Sequence, residues 1–327
     1  MLVHVINQAF TDGVYPYMLK IANVIQFFKS GKNNSVNNYR PISVLSVGNT
    51  KIVETAIKRR PAEFIEVNDI ITNCQFGFRK NHYTEAAATK SVDSIRKTID
   101  KNKVAGTIFI NLGKTFDMVD HVILLQKLWC KGTYLTNRYQ YVQIIKHKSL
   151  PQLISVGIPQ WSVPGPLLFL IYINGIGSLR LNGSLTLFAD GTVVSYCDYT
   201  MPQRLETGMQ NDLDTLPANL RINRLHSMSS YPLLLVNDYP IMRAQYVKYL
   251  GLYIDEHLKW SEHVNIVIHK ILLLANVKTE YMVHLRYMIF LWGAARKTIL
   301  HPLQIIQNKC IKSVFNILKL TSGKDLT

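Results

Sequence analysis

An α+β fold is what this sequence predicts, and three features predict it. The stretch from Leu185 to Cys197, LTLFADGTVVSYC, sets two β-prone runs about a tight turn at Asp190-Gly191, one of the strongest short signals for a hairpin. The run VAGTIFINL at 104–112 is continuously apolar and of strand length, the pattern of a central strand covered on both faces. Residues 203–222 change period: Leu205, Met209, Leu213, Leu216 and Leu220 fall on one helical stripe.

The 327 residues suffice for one large or two modest domains, and 48% hydrophobic with 18% charged residues fits a folded core. The net charge of +16 does not fit a neutral metabolic enzyme and points to a polyanionic partner, nucleic acid first and an anionic membrane surface second. Cys74, Cys130, Cys197 and Cys310 form no CxxC pair and have no zinc-like His spacing, so they read as reduced core residues of an intracellular protein. The start MLVHVINQAF lacks the pattern of a signal peptide. LLFLIYI at 167–173 and YMIFLW at 287–292 are of buried-core length, well short of the ~18 residues of a spanning helix.

In chain order, Leu2, Ile6 and Phe10 recur at four-residue spacing, which predicts a helix with one buried face, ended by Gly13 and Pro16. IANVIQFFK at 21–29 reads as a strand, and the Asn-rich SGKNNSVNN as a loop. NYRPISVLSVGNTKIVETAIKRR at 38–60 opens with a Pro41 turn and continues into a helix through Ile52, Val53, Ala56 and Ile57. Lys58, Arg59 and Arg60 close that helix, as a solvated end or a phosphate contact, and Pro61 interrupts it. QFGFRKNHYTEAA at 75–87 leads into a helix capped by Thr84. Gly77 between two phenylalanines marks a close backbone approach, and Arg79 follows it, either held by that turn or on the surface of an edge strand.

The run at 104–112 ends near Asn111, followed by KTFDMVDH, and polar residues at the carboxyl end of a buried strand are where α/β sites sit. Asp117 and Asp120 share a face if this stretch is helical, as a cation pair or as surface acids near a helix start. ISVGIPQWSVPGPLLFLIYINGI at 154–176 is a Gly- and Pro-rich loop running into a helix, with Pro166 early, Asn174-Gly175 at its end and Trp161 as a packing residue in the loop. PLLLVNDYPI and VKYLGLYID read as two strands, with a turn at Asn237-Asp238, and HLKWSEHVNIVIHKI as a helix. The last helix is amphipathic: Leu303, Ile306, Cys310, Val314 and Leu318 lie on one face, and Lys309, Lys312 and Lys319 on the other. These residues alone describe a basic α+β protein suited to nucleic acid, with no reaction assigned.

The motifs taken together are more specific. NYRPIS at 38–43, QFGFRK at 75–80, FINLGKTFD ending at Asp117, GIPQWSVPGPLLF at 157–169, LFADG at 187–191, VKYLGLYID at 247–255, WSEHV at 260–264 and PLQIIQNKCIKSVFN at 302–316 follow one another in a known order. In that order the chain resembles the reverse transcriptase domain of a non-LTR (LINE-type, jockey-like) retrotransposon over nearly its whole length. The resemblance implies a right hand, with fingers at 1–103, palm at 104–258 and a partial, helical thumb-like region at 259–327. It implies templated addition of deoxynucleotides to a primer 3′-OH. The implied partners are an RNA template, a DNA primer or RNA–DNA hybrid and deoxynucleoside triphosphates, with no membrane and a place in the nucleus or cytoplasm.

The same resemblance implies two Mg2+ ions, one activating the attacking oxygen and one holding the triphosphate and leaving group, on three palm carboxylates. This sequence has Asn111 at the first of those positions, Asp190 at the second and Gly191 at the third, so Asp190 is the one metal ligand carried over. Asp117 and Asp120 follow on the next segment and are expected to point elsewhere. Trp161, between Gln160 and Ser162, stands where the family has a glycine against the nascent base pair, and Pro164 replaces an apolar residue. Arg79 resembles the fingers arginine that contacts the triphosphate, Phe116 the aromatic gate against a ribose 2′-OH, and Gln160 is retained. The stretches after Leu128 and Leu225 are short for the family, its lysine in the latter is not evident, and its upstream endonuclease is missing, so the chain reads as a degenerate fragment. The expectation is an impaired polymerase, the alternatives a non-catalytic nucleic-acid-binding module or an unselected transposon remnant.

Overall fold

A computed structural model describes residues 2–28, 32, 34–35, 38–45, 49–112, 115–128, 133–144, 146–223, 233–236, 239–242, 244–273 and 281–314. Helix α1 (Leu2–Asp12) precedes strands β1 (Ile21–Phe28) and β2 (Tyr39–Leu45), then helices α2 (Asn49–Val67) and α3 (Thr84–Asp100). Strand β3 (Val104–Asn111), a short 3-10 turn (Thr115–Met118), helix α4 (His121–Lys127), strands β4 (Arg138–Ile144), β5 (His147–Lys148) and β6 (Gln152–Ile154) and helix α5 (Gly165–Ile173) follow. The hairpin β7 (Ser184–Phe188) and β8 (Gly191–Tyr199) leads to α6 (Pro202–Ile222). The chain continues through β9 (Leu233–Val236), β10 (Tyr239–Met242), β11 (Tyr246–Tyr249), β12 (Leu252–Asp255), α7 (Ser261–Leu273), α8 (Tyr281–Arg286), α9 (Ile289–Trp292) and α10 (Lys297–Val314).

One sheet has the order β2-β1-β4-β5, with β6 beside β4. Strand β1 runs antiparallel to β2 and parallel to β4, so residues on both sides of position 103 share this sheet. Pro41 lies within β2, opposite Gln26, rather than in a turn. An edge strand tolerates a residue without an amide proton because one side of it needs no partner.

The second sheet has the order β3-β8-β7, all antiparallel, so β8 is central and β3 lies at the edge. The apolar run of β3 reflects two covered faces and not a central place. Ile108 and Ile110 belong to the main core, while the Phe109 ring meets Tyr249 at 5.5 Å on the other side. Strand β8 divides likewise: Val194 enters the core with Phe169, Leu187 and Leu213, and its neighbour Val193 enters a second core with Trp260, Val264 and Trp292.

Phe188 pairs with Gly191, so the turn is Ala189-Asp190, one residue earlier than the sequence pattern suggests. Ala189 takes the left-handed conformation, φ 53°, and Gly191 is already in the strand. VKYLGLYID is a hairpin and not one strand, because Leu250 (φ 48°) and Gly251 (φ 85°) reverse the chain. PLLLVNDYPI likewise forms the paired β9 and β10.

Other boundaries shift for local reasons. Helix α2 continues through Pro61 to Val67, which leaves Lys58, Arg59 and Arg60 mid-helix, with Arg59 bonded to Glu63 one turn on. Tyr83, not Thr84, occupies the N-cap of α3, and the Thr84 hydroxyl turns to Glu85. The α1 face is not buried: Phe10 is 42% exposed, and with Ile6 it lines an open apolar groove against Val53 and Ile57. Cys74 and Cys197 are free thiols, half-buried. Cys130, the Asn237-Asp238 pair and the side chains from Cys310 onward lie outside the described residues.

Candidate active site

The three positions matched to metal-binding carboxylates meet at one end of the β3-β8-β7 sheet. Asn111 faces Gly191 across the β3-β8 ladder, and the Leu112 amide donates to the Asp190 carbonyl at 3.4 Å. Asp190 is half-buried, and the side chain of Asn111 lies outside the described residues. A Cβ built on Gly191 has the Phe188 carbonyl oxygen at 3.3 Å as its nearest contact, so a side chain there asks a slight shift of one neighbour.

QFGFRK is what holds this hairpin turn. The Phe76 amide donates to the Leu187 carbonyl at 2.8 Å, and the Leu187 amide to the Cys74 carbonyl at 2.7 Å. Gln75 then turns its Oε1 onto two backbone amides, Gly77 at 2.7 Å and Ala189 at 3.1 Å. Gly77 makes the close approach its flanking phenylalanines announce: a Cβ there would lie 2.2 Å from the Ala189 nitrogen. Gln75 escaped the sequence reading; its one signal was its place at the head of the aromatic-and-glycine run.

Arg79 points into the protein. Its side chain is 6% exposed, Nη1 donates to the Thr72 carbonyl at 3.1 Å and Nη2 lies 3.7 Å from Glu66 at the end of α2. It is therefore no surface arginine. Phe116 stacks on Phe169 at 4.4 Å and meets the edge of Phe78 at 5.9 Å.

Asp117 and Asp120 do not converge. Asp117 accepts from Gln160 Nε2 at 2.8 Å, beside a cavity of about 170 Å3 lined also by Ser43, Gln140 and Pro159. Asp120 is buried and caps α4, accepting from the Val122 and Ile123 amides at 2.9 and 3.1 Å. His121 beside it donates from Nε2 to the Gly157 carbonyl at 2.7 Å; burial lowers its pKa, and that hydrogen bond opposes the shift.

Trp161 is not a packing residue: it is 76% exposed at φ 72°, in the left-handed region. Its loop is tied down on either side. The Ser162 amide donates to the Pro159 carbonyl at 3.1 Å, and the Val163 amide to Glu54 Oε2 at 2.9 Å. Glu54 is fully buried in α2 and accepts from the Tyr134 hydroxyl at 2.7 Å with its other oxygen. No local pattern marked Glu54 in the sequence.

The model of the family "Reverse transcriptase (RNA-dependent DNA polymerase)" matches residues 29–254, more than half of the chain. The chain belongs to this family. It is 26% identical over 346 residues to the probable RNA-directed DNA polymerase from transposon X-element of Drosophila melanogaster, covering 92% of this chain and 38% of that one. It is 28% identical over 294 residues to the RNA-directed DNA polymerase from mobile element jockey of the same species, covering 80% and 32% respectively. The chain thus spans less than two fifths of the length of these relatives. Apo telomerase from Candida tropicalis aligns over 96% of this chain and 62% of its own, at TM-score 0.49 and 9% identity.

This is therefore a reverse transcriptase-like domain of the non-LTR retrotransposon type, with the α+β, right-hand polymerase fold of its family. The family copies RNA templates and uses Mg2+. Among the described residues of this member, no three His, Cys, Asp or Glu side chains gather to hold a metal ion, and no helix is long and apolar enough to cross a membrane.

Proposed function

We propose that this reverse transcriptase domain holds nucleic acid in its cleft but is impaired in nucleotide transfer. The observation that carries this reading is the register at the sheet end, where Asn111 faces Gly191 and Asp190 alone brings a carboxylate. Two Mg2+ ions carry four positive charges, and a single carboxylate with one amide does not fit them. Phosphate attraction depends on Lys and Arg, and the net charge of +16 supports it.

In this reading the fingers span 1–103, the palm 104–258 and a thumb-like region 259–327, with β4 and β6 reaching from the palm range into the first sheet. RNA template, primer or hybrid and deoxynucleoside triphosphates are the ligands, and the nucleus or cytoplasm is the place of action. Phe116 and Gln160 line the nucleotide site. Arg79 reaches a triphosphate only after leaving Glu66 and Thr72. One observation favours a second reading, an unselected remnant: Pro61, Pro217 and Pro302 each lie inside a helix that continues past them, where proline removes a hydrogen bond.

Primer extension on an RNA template with Mg2+ tests both, comparing the unmodified chain with Asn111→Asp/Gly191→Asp/Trp161→Gly. The expected result is extension by the triple variant and none by the unmodified chain. Extension by the unmodified chain overturns the impairment. Silence in both, with no cooperative unfolding transition, supports the remnant.

A further inference from the structure

We propose that Trp161 is a stacking platform for an unpaired base of a single-stranded nucleic acid. This rests on the nucleic-acid-binding reading above and names the residue and ligand form it uses.

The backbone at Trp161 is held in a conformation unfavourable to an L side chain, φ 72°. Strain of this kind persists where the surroundings over-determine it. Here they do: Gln160 is bonded to Asp117, the Ser162 amide to Pro159, and the Val163 amide to buried Glu54. The residue is 76% exposed, and no ring or cation contact engages it among the described residues. The result is a large aromatic face fixed outward on a rigid loop.

Phe78 repeats the pattern. It too is left-handed, φ 58°, and 54% exposed, with its ring edge on Phe116. Phe116 precedes Asp117, which bonds Gln160, the residue before Trp161. On a chain of net charge +16, exposed aromatic faces suit single strands with little sequence preference, since every base offers a π-face. A duplex keeps its bases stacked on one another and offers no such face along its length.

Binding of a short fluorescein-labelled single-stranded RNA, and of the same RNA as a duplex, is followed by anisotropy across a salt series. Trp161→Ala and Trp161→Gly should each weaken single-strand binding about tenfold, Trp161→Phe much less, with duplex binding and the salt slope unchanged. Trp161→Gly relieves the backbone strain, so its loss of binding is not a loss of fold. Single-strand binding indifferent to all three substitutions overturns this inference and leaves the nucleic-acid-binding reading standing. An equal loss on single strand and duplex also overturns it. No binding by the unmodified chain at low salt overturns both.

Discussion

Gly77 and Ala189 meet backbone to backbone, so closely that a Cβ on Gly77 would sit 2.2 Å from the Ala189 nitrogen. The QFGFRK stretch and the hairpin carrying Asp190 are thus one unit. The Gln75 amide side chain closes it, accepting from both backbone amides. Gly77→Ala forces backbone and not a flexible side chain to move, which costs about 1–3 kcal/mol or more. Gln75→Ala leaves two buried amides unpaired, at about 1–3 kcal/mol. Urea denaturation should show both losses, and hydrogen exchange should show the Ala189 amide opening in the Gln75→Ala chain. Unchanged exchange at Ala189 would remove Gln75 from this role.

Trp161→Gly should stabilise the chain even though it deletes a large side chain. A left-handed L residue costs about 1–2 kcal/mol, and the added freedom of glycine in the unfolded chain returns about 0.4–1 kcal/mol of that. The ring is 76% exposed, so little buried area is lost. The net gain of up to about 1 kcal/mol should appear as a higher urea midpoint with an unchanged slope. A lower midpoint would mean that the ring makes contacts in solution.

Glu54 fixes the Trp161 loop from α2. Glu54→Ala leaves the Tyr134 hydroxyl and the Val163 amide without their acceptor, costing about 1–3 kcal/mol. Glu54→Gln keeps one acceptor oxygen and should cost less. Exchange of the Val163 amide reports on this directly: it should quicken in Glu54→Ala more than global unfolding accounts for.

These two ties explain what the sequence could not carry. The hairpin at 185–197 and the helices at 84–100, 165–173 and 202–222 are legible because period, turn chemistry and proline placement act within a few residues. Gln75 and Ala189 are 114 positions apart, Glu54 and Val163 109, and no local pattern encodes such pairs. The edge place of β3 was hidden for a related reason. An apolar run records covered faces, and Ile108 and Phe109 are covered by different cores, whereas strand order is set by which neighbours pair. The meeting of Asn111 with Gly191 was legible only through motif order. The inward turn of Arg79 was not, because it depends on where Glu66 ends up.

His263 makes the fold sensitive to acid. It is 3% exposed, its Nδ1 accepts from the Tyr253 amide, and the rings of Trp260 and Trp292 lie 6.2 and 5.3 Å away. Burial, with the charge of Lys270 adding to it, lowers its pKa from 6.5 to about 4. Between those values the unfolded chain binds a proton that the folded chain does not, so stability rises with pH through this window. The contribution is complete above pH 6.5 and lost as pH falls toward 4, up to about 3 kcal/mol. His121, lowered in the same direction by burial, adds to the slope. Stability measured by urea from pH 7 to pH 4 should fall more steeply in the unmodified chain than in His263→Phe. Parallel curves would show that His263 gains a proton without penalty.

Gly191→Asp tests whether the sheet end can be refitted for metal independently of catalysis. The nearest obstacle to a Cβ is one carbonyl oxygen at 3.3 Å, and Gly191 does not sit in the left-handed region, so the substitution should fold. Without metal, a second carboxylate beside Asp190 should destabilise the chain by like-charge repulsion, and Asn111→Asp should add to it from across the ladder. A divalent cation reverses that sign, because it binds the folded form and stabilises it by mass action. In Asn111→Asp/Gly191→Asp, Mg2+ should raise the thermal midpoint and K+ at equal ionic strength should not. In the unmodified chain Mg2+ should leave the midpoint where K+ does. A Mg2+-specific rise there would mean that Asp190 and donors beyond these three positions already form a metal site, and the impairment would have to be sought in the Trp161 loop instead.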